Sequence, residues 1–337
     1  MKRILLLLIC LIFAISSFAN NEKDFKKYIE KFDVADEAKS TQLNSPYLFL
    51  RNVLDNNEQL FKFEKDLQKN RGAIKEAKRE VLKIPRFCPE YDLSIVESIQ
   101  GLCDTLLIDM GITETGVDCS LHVVFDERVN AFCALKEKGF AICLTTGLLD
   151  LKGINYNIIM GYVAHEFAHG AFLHHIRGLY AEAKERRKNE ILGGIAAGLN
   201  AAAAGINAYN AGMAGLTHDN APYIAAIENI GSEIKISTLK YSFKYSREQE
   251  IESDLFAYRY LENLGCAEEY INGLSILGTQ YDDVYSEYSD HPTILQRINF
   301  LKFVKAHPEL GNKKNAKLKK KRLKKQYQKQ ETDDIYY

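Results

Sequence analysis

The stretch Val163–His175, VAHEFAHGAFLHH, decides how this chain of 337 residues is read. On a helix, His165 and His169 stand one turn apart on the same face, so both imidazoles reach one metal ion. Glu166 lies beside them, placed to take a proton from water at that ion. The spacing is HExxH, whose mechanics demand those intervals. Ahead of it Ile158, Ile159, Tyr162, Val163 and Ala164 form an apolar stripe, so the motif falls on a helix that packs against a core.

A catalytic zinc ion takes three protein ligands and keeps its fourth position open. His175 has the interval of the third histidine in HExxHxxGxxH, but Phe172 stands where that pattern needs a glycine to turn the chain. Without the turn the helix runs on and carries His175 away from the ion, so His175 is set aside. The segment Tyr245–Leu255, which contains SREQEIESD, offers a ligand from a second helix. Glu250 and Asp254 are four apart and share a face, so Glu250 could ligate while Asp254 accepts the outer N–H of a ligand histidine and fixes its orientation. Without HEFAH, the same acids would read as a solvated helix face.

Working outward, SLHVVFDE reads as a short strand, and NAFCALKEKGFAICLTTGLL as two strands joined by a turn around Lys136 to Gly139. An exposed strand edge of this kind holds an extended peptide by backbone pairing. Residues 233–264 read as a helix ended by Gly265, and two more helices follow, to about Thr279 and through TILQRINFLKFVKA. Residues 20–90 form a polar lead-in with apolar residues at three- and four-residue spacing, which predicts amphipathic helices laid on the later core. An Ala- and Gly-rich insert at 191–216 reads as close-packed small helices or a flap near the cleft. Its asparagines and glycines disfavour a membrane span.

The ends suggest an address. Lys2 and Arg3, the apolar run Ile4–Ala14 and the small residues Ser17 and Ala19 predict a signal peptide over 1–19 and an exported mature chain. Removing it leaves a nearly neutral chain, so net charge predicts no partner. The tail, 306–337, carries ten Lys and Arg between Lys313 and Lys329 and reads as disordered, with anionic lipid as its functional partner rather than nucleic acid. Six cysteines remain after the signal, none in CxxC spacing, so they read as core or disulfide residues rather than ligands.

With HEFAH and SREQEIESD both in view, the chain resembles the HtpX-like and CaaX-prenyl-protease family of zinc metallopeptidases, gluzincins with HExxH and a distant Glu. It looks closest to the soluble periplasmic, BepA-like branch. Ser246, Arg247, Glu250 and Asp254 meet the family pattern SRxxExxAD, with Ser253 in place of its Ala. Asn130, Ala131 and Phe132 match the NAF strand, His174 a recurring histidine after HExxH, and SDHPTILQRI the HP…R motif. Cys133 to Lys138 replace the glycine-rich turn usual after NAF, a departure that bears on the shape of the substrate edge.

The resemblance implies an α+β, mainly helical zincin-type metallopeptidase domain over 91–305, with a small β-sheet at the active-site cleft. It implies one zinc per chain on His165, His169 and Glu250, with Glu166 as general base and Asp254 behind a ligand histidine. A peptide would lie along Asn130, Ala131 and Phe132. His291 and Arg297 are expected to stabilise the oxyanion, with Tyr285 and Tyr288 as weaker candidates. The implied role is periplasmic endopeptidase in envelope quality control, acting on unfolded or misassembled proteins. Two alternatives stand beside it: a zincin-fold binding or chaperone-like module that rarely cuts, and a latent protease gated by His291.

Overall fold

The computed structural model describes residues 22–33, 45–87, 97–193, 233–280, 289 and 291–310. The signal segment, most of the Ala- and Gly-rich insert, the basic run from Lys313, Tyr285 and Tyr288 lie outside them. Among the described residues the fold is mainly helical around one three-stranded sheet, the α+β class expected. Four helices come first: α1 (22–32), α2 (Pro46–Asn56), α3 (Glu58–Leu67) and α4 (Arg71–Val81). After α5 (Glu97–Asp109) come β1 (Cys119–Val124), β2 (Ala131–Leu135), β3 (Phe140–Thr145) and the short α6 (Thr146–Leu149). Then follow α7 (Tyr156–Ala171), α8 (His174–Gly193), α9 (Glu233–Asn263), α10 (Ala267–Leu277) and α11 (Ile294–Ala306).

The sheet order is β1-β3-β2, with β3 parallel to β1 and antiparallel to β2. Every residue of β3 is buried, as a central strand requires. β2 is left at the edge. The segment TTGLL, expected to continue the last strand, instead turns helical at Thr146, because the Thr145 hydroxyl caps the Leu148 N–H.

The core sits where α7 and α9 pack together under the sheet. Phe167 and Phe172 of α7 and its end meet Phe256 of α9 at ring distances of 6.1 and 5.3 Å, and Phe49 of α2 closes on Tyr260 at 5.8 Å. Asn155 caps α7 through the Ile158 N–H at 3.0 Å. Two glycines let α7 lie close to its neighbours. A Cβ on Gly170 would come within 2.3 Å of the Phe140 ring, and one on Gly161 within 2.6 Å of Tyr270.

The lead-in helices pack on this core. Phe25 of α1 meets Phe300 of α11 edge-on at 5.4 Å, and Asp33 pairs with Arg259 of α9 in a buried bidentate contact at 2.8 and 3.0 Å. α3 and α4 lie on α8 through a second apolar cluster that includes Phe63, Ala73, Ala77 and Tyr180. Among the described residues no helix is long and apolar enough to cross a membrane. The described cysteines, Cys103, Cys119, Cys133, Cys143 and Cys266, are free thiols.

Candidate metal centre

α7 presents His165 and His169 to α9, which returns Glu250. The His165 Nε2 and His169 Nε2 atoms lie 3.1 Å apart, and each meets a different Glu250 oxygen, at 3.3 and 3.2 Å. Three ligand atoms at zinc bond lengths of about 2.0–2.1 Å and tetrahedral angles stand about 3.3 Å from one another. The three side chains are buried and form a metal-competent group, so this donor set fits zinc. Glu250 is held well below the carboxylate range: burial pushes it up, but His291 and His169 outweigh it.

Each histidine is fixed from behind. His165 Nδ1 lies 3.0 Å from Asp254 Oδ1, and Tyr270, admitted by Gly161, stands 3.0 Å from the same nitrogen while donating to Asp254 at 2.7 Å. Arg297 donates twice to Asp254, at 2.8 and 2.6 Å. Asp254 is thus anionic and accepts the Nδ1 proton, which leaves Nε2 free to ligate.

His169 is fixed differently. Its Nδ1 lies 3.1 Å from His174 Nδ1, and His174 Nε2 lies 3.2 Å from Glu252, which also takes a 2.9 Å bond from Arg177. Burial pushes His174 down to about 3 against the pull of Glu252, so its ring carries one proton. With that proton on Nε2 toward Glu252, His174 Nδ1 accepts from His169 Nδ1, and His169 Nε2 is left bare toward the metal position. Gln249 holds the His174 carbonyl at 2.8 Å.

The turn that places His174 differs from the sequence expectation. α7 does not run on past Phe172; it breaks at Leu173, which adopts φ 55°, and α8 starts at once with His174. A left-handed leucine is uncommon, and no glycine marks it. The break folds His174 back onto His169, while His175 is buried outside the three-ligand group.

Arg297 also departs from its expected role. Both of its bonds to carboxylate go to Asp254, and it reaches His165 on the Nδ1 side, away from the ligand nitrogen. It is a positioning residue in this geometry, not a donor facing the open side of the metal. A capping box of Thr293 and Gln296 starts α11 at Ile294, three residues before Arg297, and fixes its direction. His291 sits at the mouth with its side chain 26 % exposed and its Nε2 3.5 Å from Glu250 Oε1. Arg247 of the SR pair donates to the Ser289 carbonyl, and the Ser289 hydroxyl donates to the His291 carbonyl at 2.9 Å.

Glu166 borders the cluster with its side chain 12 % exposed, 4.0 Å from His165 Nε2. Burial raises its pKa, partly offset by His165 and His169, which makes it a better base at neutral pH than a solvated carboxylate. Alongside runs β2: Asn130 bonds Thr145 just before the strand, and Ala131 and Phe132 open it, half-buried on its edge. Sequence reasoning does not single out Tyr270, Glu252 or Arg177. Glu252 has a signal: it lies inside SREQEIESD, and a buried histidine following HExxH needs an acid.

Fold and site together define a metallopeptidase. The profile of Peptidase family M48 matches residues 97–305, and the chain belongs to that family. No curated protein and no solved structure is a match.

Proposed function

We propose that this chain is an exported zinc endopeptidase that cuts unfolded or misassembled envelope proteins. The observation that supports it most is the convergence of His165, His169 and Glu250 within 4.8 Å, with Glu166 beside them. A zinc ion held there supplies Lewis acidity toward a carbonyl and lowers the pKa of a water to about 7. Glu166 takes the proton of the attacking water on its carboxylate and passes it to the leaving amine. Asp254, set by Arg297 and Tyr270, keeps the His165 proton on Nδ1; His174 does the same for His169. The backbone of β2 binds the extended substrate. His291 at the mouth donates to the carbonyl oxygen as charge builds there. The basic tail holds the enzyme near anionic lipid; nucleic acid is not a partner.

The test is Glu166→Gln. Peptide hydrolysis falls to background while bound zinc is unchanged; retained turnover would overturn the assignment of the base. One observation favours a second reading, a latent form: His291 lies 3.5 Å from Glu250, close enough to compete for the open ligand position. In that case His291→Ala raises hydrolysis. A binding module would show neither effect and would still hold unfolded protein.

A further inference from the structure

Helix α4, RGAIKEAKREV, sorts its charges by sign. Arg71, Lys75, Lys78 and Arg79 are exposed and fall, with Leu82, within about 100° of the helix circumference. Both acids are turned inward: Glu80 is 3 % exposed, and Glu76 pairs with Arg186 of α8. Ala73 and Ala77 beside them let α4 lie close on Tyr180 and Ala183. Glu80 is shared by Arg79 at 3.3 Å and Lys83 at 2.9 Å, so it offsets one positive charge only. Arg71, Lys75 and Lys78 make no ion pair with a described residue.

Exposed bases alone make an ordinary solvated face. Leu82 sets this one apart. At 81 % it is the most exposed large apolar side chain among the described residues. Its αR backbone continues the helix by one residue, so Leu82 stands in line with Lys78 and Lys75, four and seven positions back. A nucleic acid reads such a surface through its phosphates and has no use for the leucine. A bilayer uses both, because attachment to it grows with buried apolar area and with attraction to anionic headgroups. Lysine and arginine stems then lie along the apolar layer while their charges stay at the headgroups. The attraction is local: the whole chain carries a formal charge of −1, and salt screens charges more than about 10 Å apart.

We propose that the outer face of α4 is a docking surface for an anionic bilayer, with Arg71, Lys75, Lys78 and Arg79 against lipid phosphates and Leu82 inserted between the headgroups. This face belongs to the folded domain and is separate from the basic run after Lys313. Docking there holds the chemistry close to the lipid. The chain beyond Leu82 meets the sheet at Phe87, whose N–H donates to the Leu135 carbonyl at 2.6 Å. Five residues reach at most about 18 Å, so the sheet beside the metal centre stands within that distance of Leu82. The inference stands apart from the peptidase reading and does not need it.

The chain has no tryptophan, so Leu82→Trp puts a single reporter on this face. Purified protein from residue 20 onward, tail included, is titrated with phosphatidylcholine vesicles containing about one third phosphatidylglycerol, with neutral phosphatidylcholine vesicles and with a short DNA duplex. The anionic vesicles alone shift the emission to the blue and shield the indole from acrylamide, and added salt reverses both. Unshifted emission from vesicle-bound protein would leave the tail as the attachment and overturn the proposal. An equal shift with DNA would overturn the choice of lipid, and so would wild-type protein that does not bind anionic vesicles. Sedimentation with the same vesicles gives a second measurement. Arg71→Gln, Lys75→Gln and Lys78→Gln together weaken binding about 100-fold, at about fivefold per charge. Lys23→Gln, Lys26→Gln and Lys27→Gln, the same loss of charge from the exposed side of α1, leave binding within about twofold. Equal losses in the two triple variants would show a diffuse attraction and overturn the docking face.

Discussion

Arg297→Met separates the two roles open to this residue. Arg297 and Asp254 are buried at 8 % and 0 % exposure and joined by two charge-assisted hydrogen bonds of 2.8 and 2.6 Å. Methionine fills similar space without charge and leaves Asp254 buried with its main partner gone. Removing one member of such a pair costs about 3–5 kcal/mol. Asp254 also orients His165, so zinc affinity falls by about 10- to 100-fold. Urea unfolding of the zinc-free protein measures the first effect, and competition with a chromophoric chelator measures the second. Adding Asp254→Asn removes the stranded charge and restores about half of the lost stability, a coupling that independent sites would not show. An oxyanion donor behaves otherwise: its loss lowers kcat by about 100- to 1,000-fold with stability and zinc intact. That result would refute the positioning role.

Two further outcomes follow from other buried groups. His174→Ala deprives His169 Nδ1 of its acceptor while the Arg177–Glu252 pair remains, so zinc affinity drops about 10- to 100-fold; unchanged affinity would show that His169 needs no such support. Glu182 of α8, one of whose oxygens is buried without a hydrogen-bond partner among the described residues, is pushed from 4.5 up to about 7 by burial against the pull of Arg186. The folded state keeps this proton while the unfolded state loses it, so the contribution of Glu182 to stability is greatest below about pH 4.5, falls up to about pH 7 and then levels. Glu182→Gln therefore stabilises the protein by up to about 3 kcal/mol at pH 8 and hardly at pH 4.5, and equal effects at both would refute this origin.

Part of this site is legible in the sequence because its geometry is local. His165, Glu166 and His169 share one helix turn, and Glu250 and Asp254 share another, so periodicity alone groups them. What is not legible depends on where helices meet. The place of Arg297 in a motif suggests an oxyanion donor, but the partner it faces is set by how α11 crosses α9. Tyr270 reaches His165 only because Gly161 admits its ring. The turn at Leu173 carries no glycine, so the residues argue for a continuous helix and hide the His169–His174 contact. The strands are legible as strands, yet their order is not: β2 lies between β1 and β3 in sequence, and on the outer edge in space.

The central claim is a three-ligand site built from two helices, and zinc content tests it most directly. Purified protein from residue 20 onward is compared with its Glu250→Ala form by elemental analysis after equal dialysis. The structure predicts about one zinc per wild-type chain and a large loss in the variant, since Glu250 supplies the third ligand. Undiminished zinc in Glu250→Ala would contradict it and move the third ligand to another residue, with His291 at the mouth first in line.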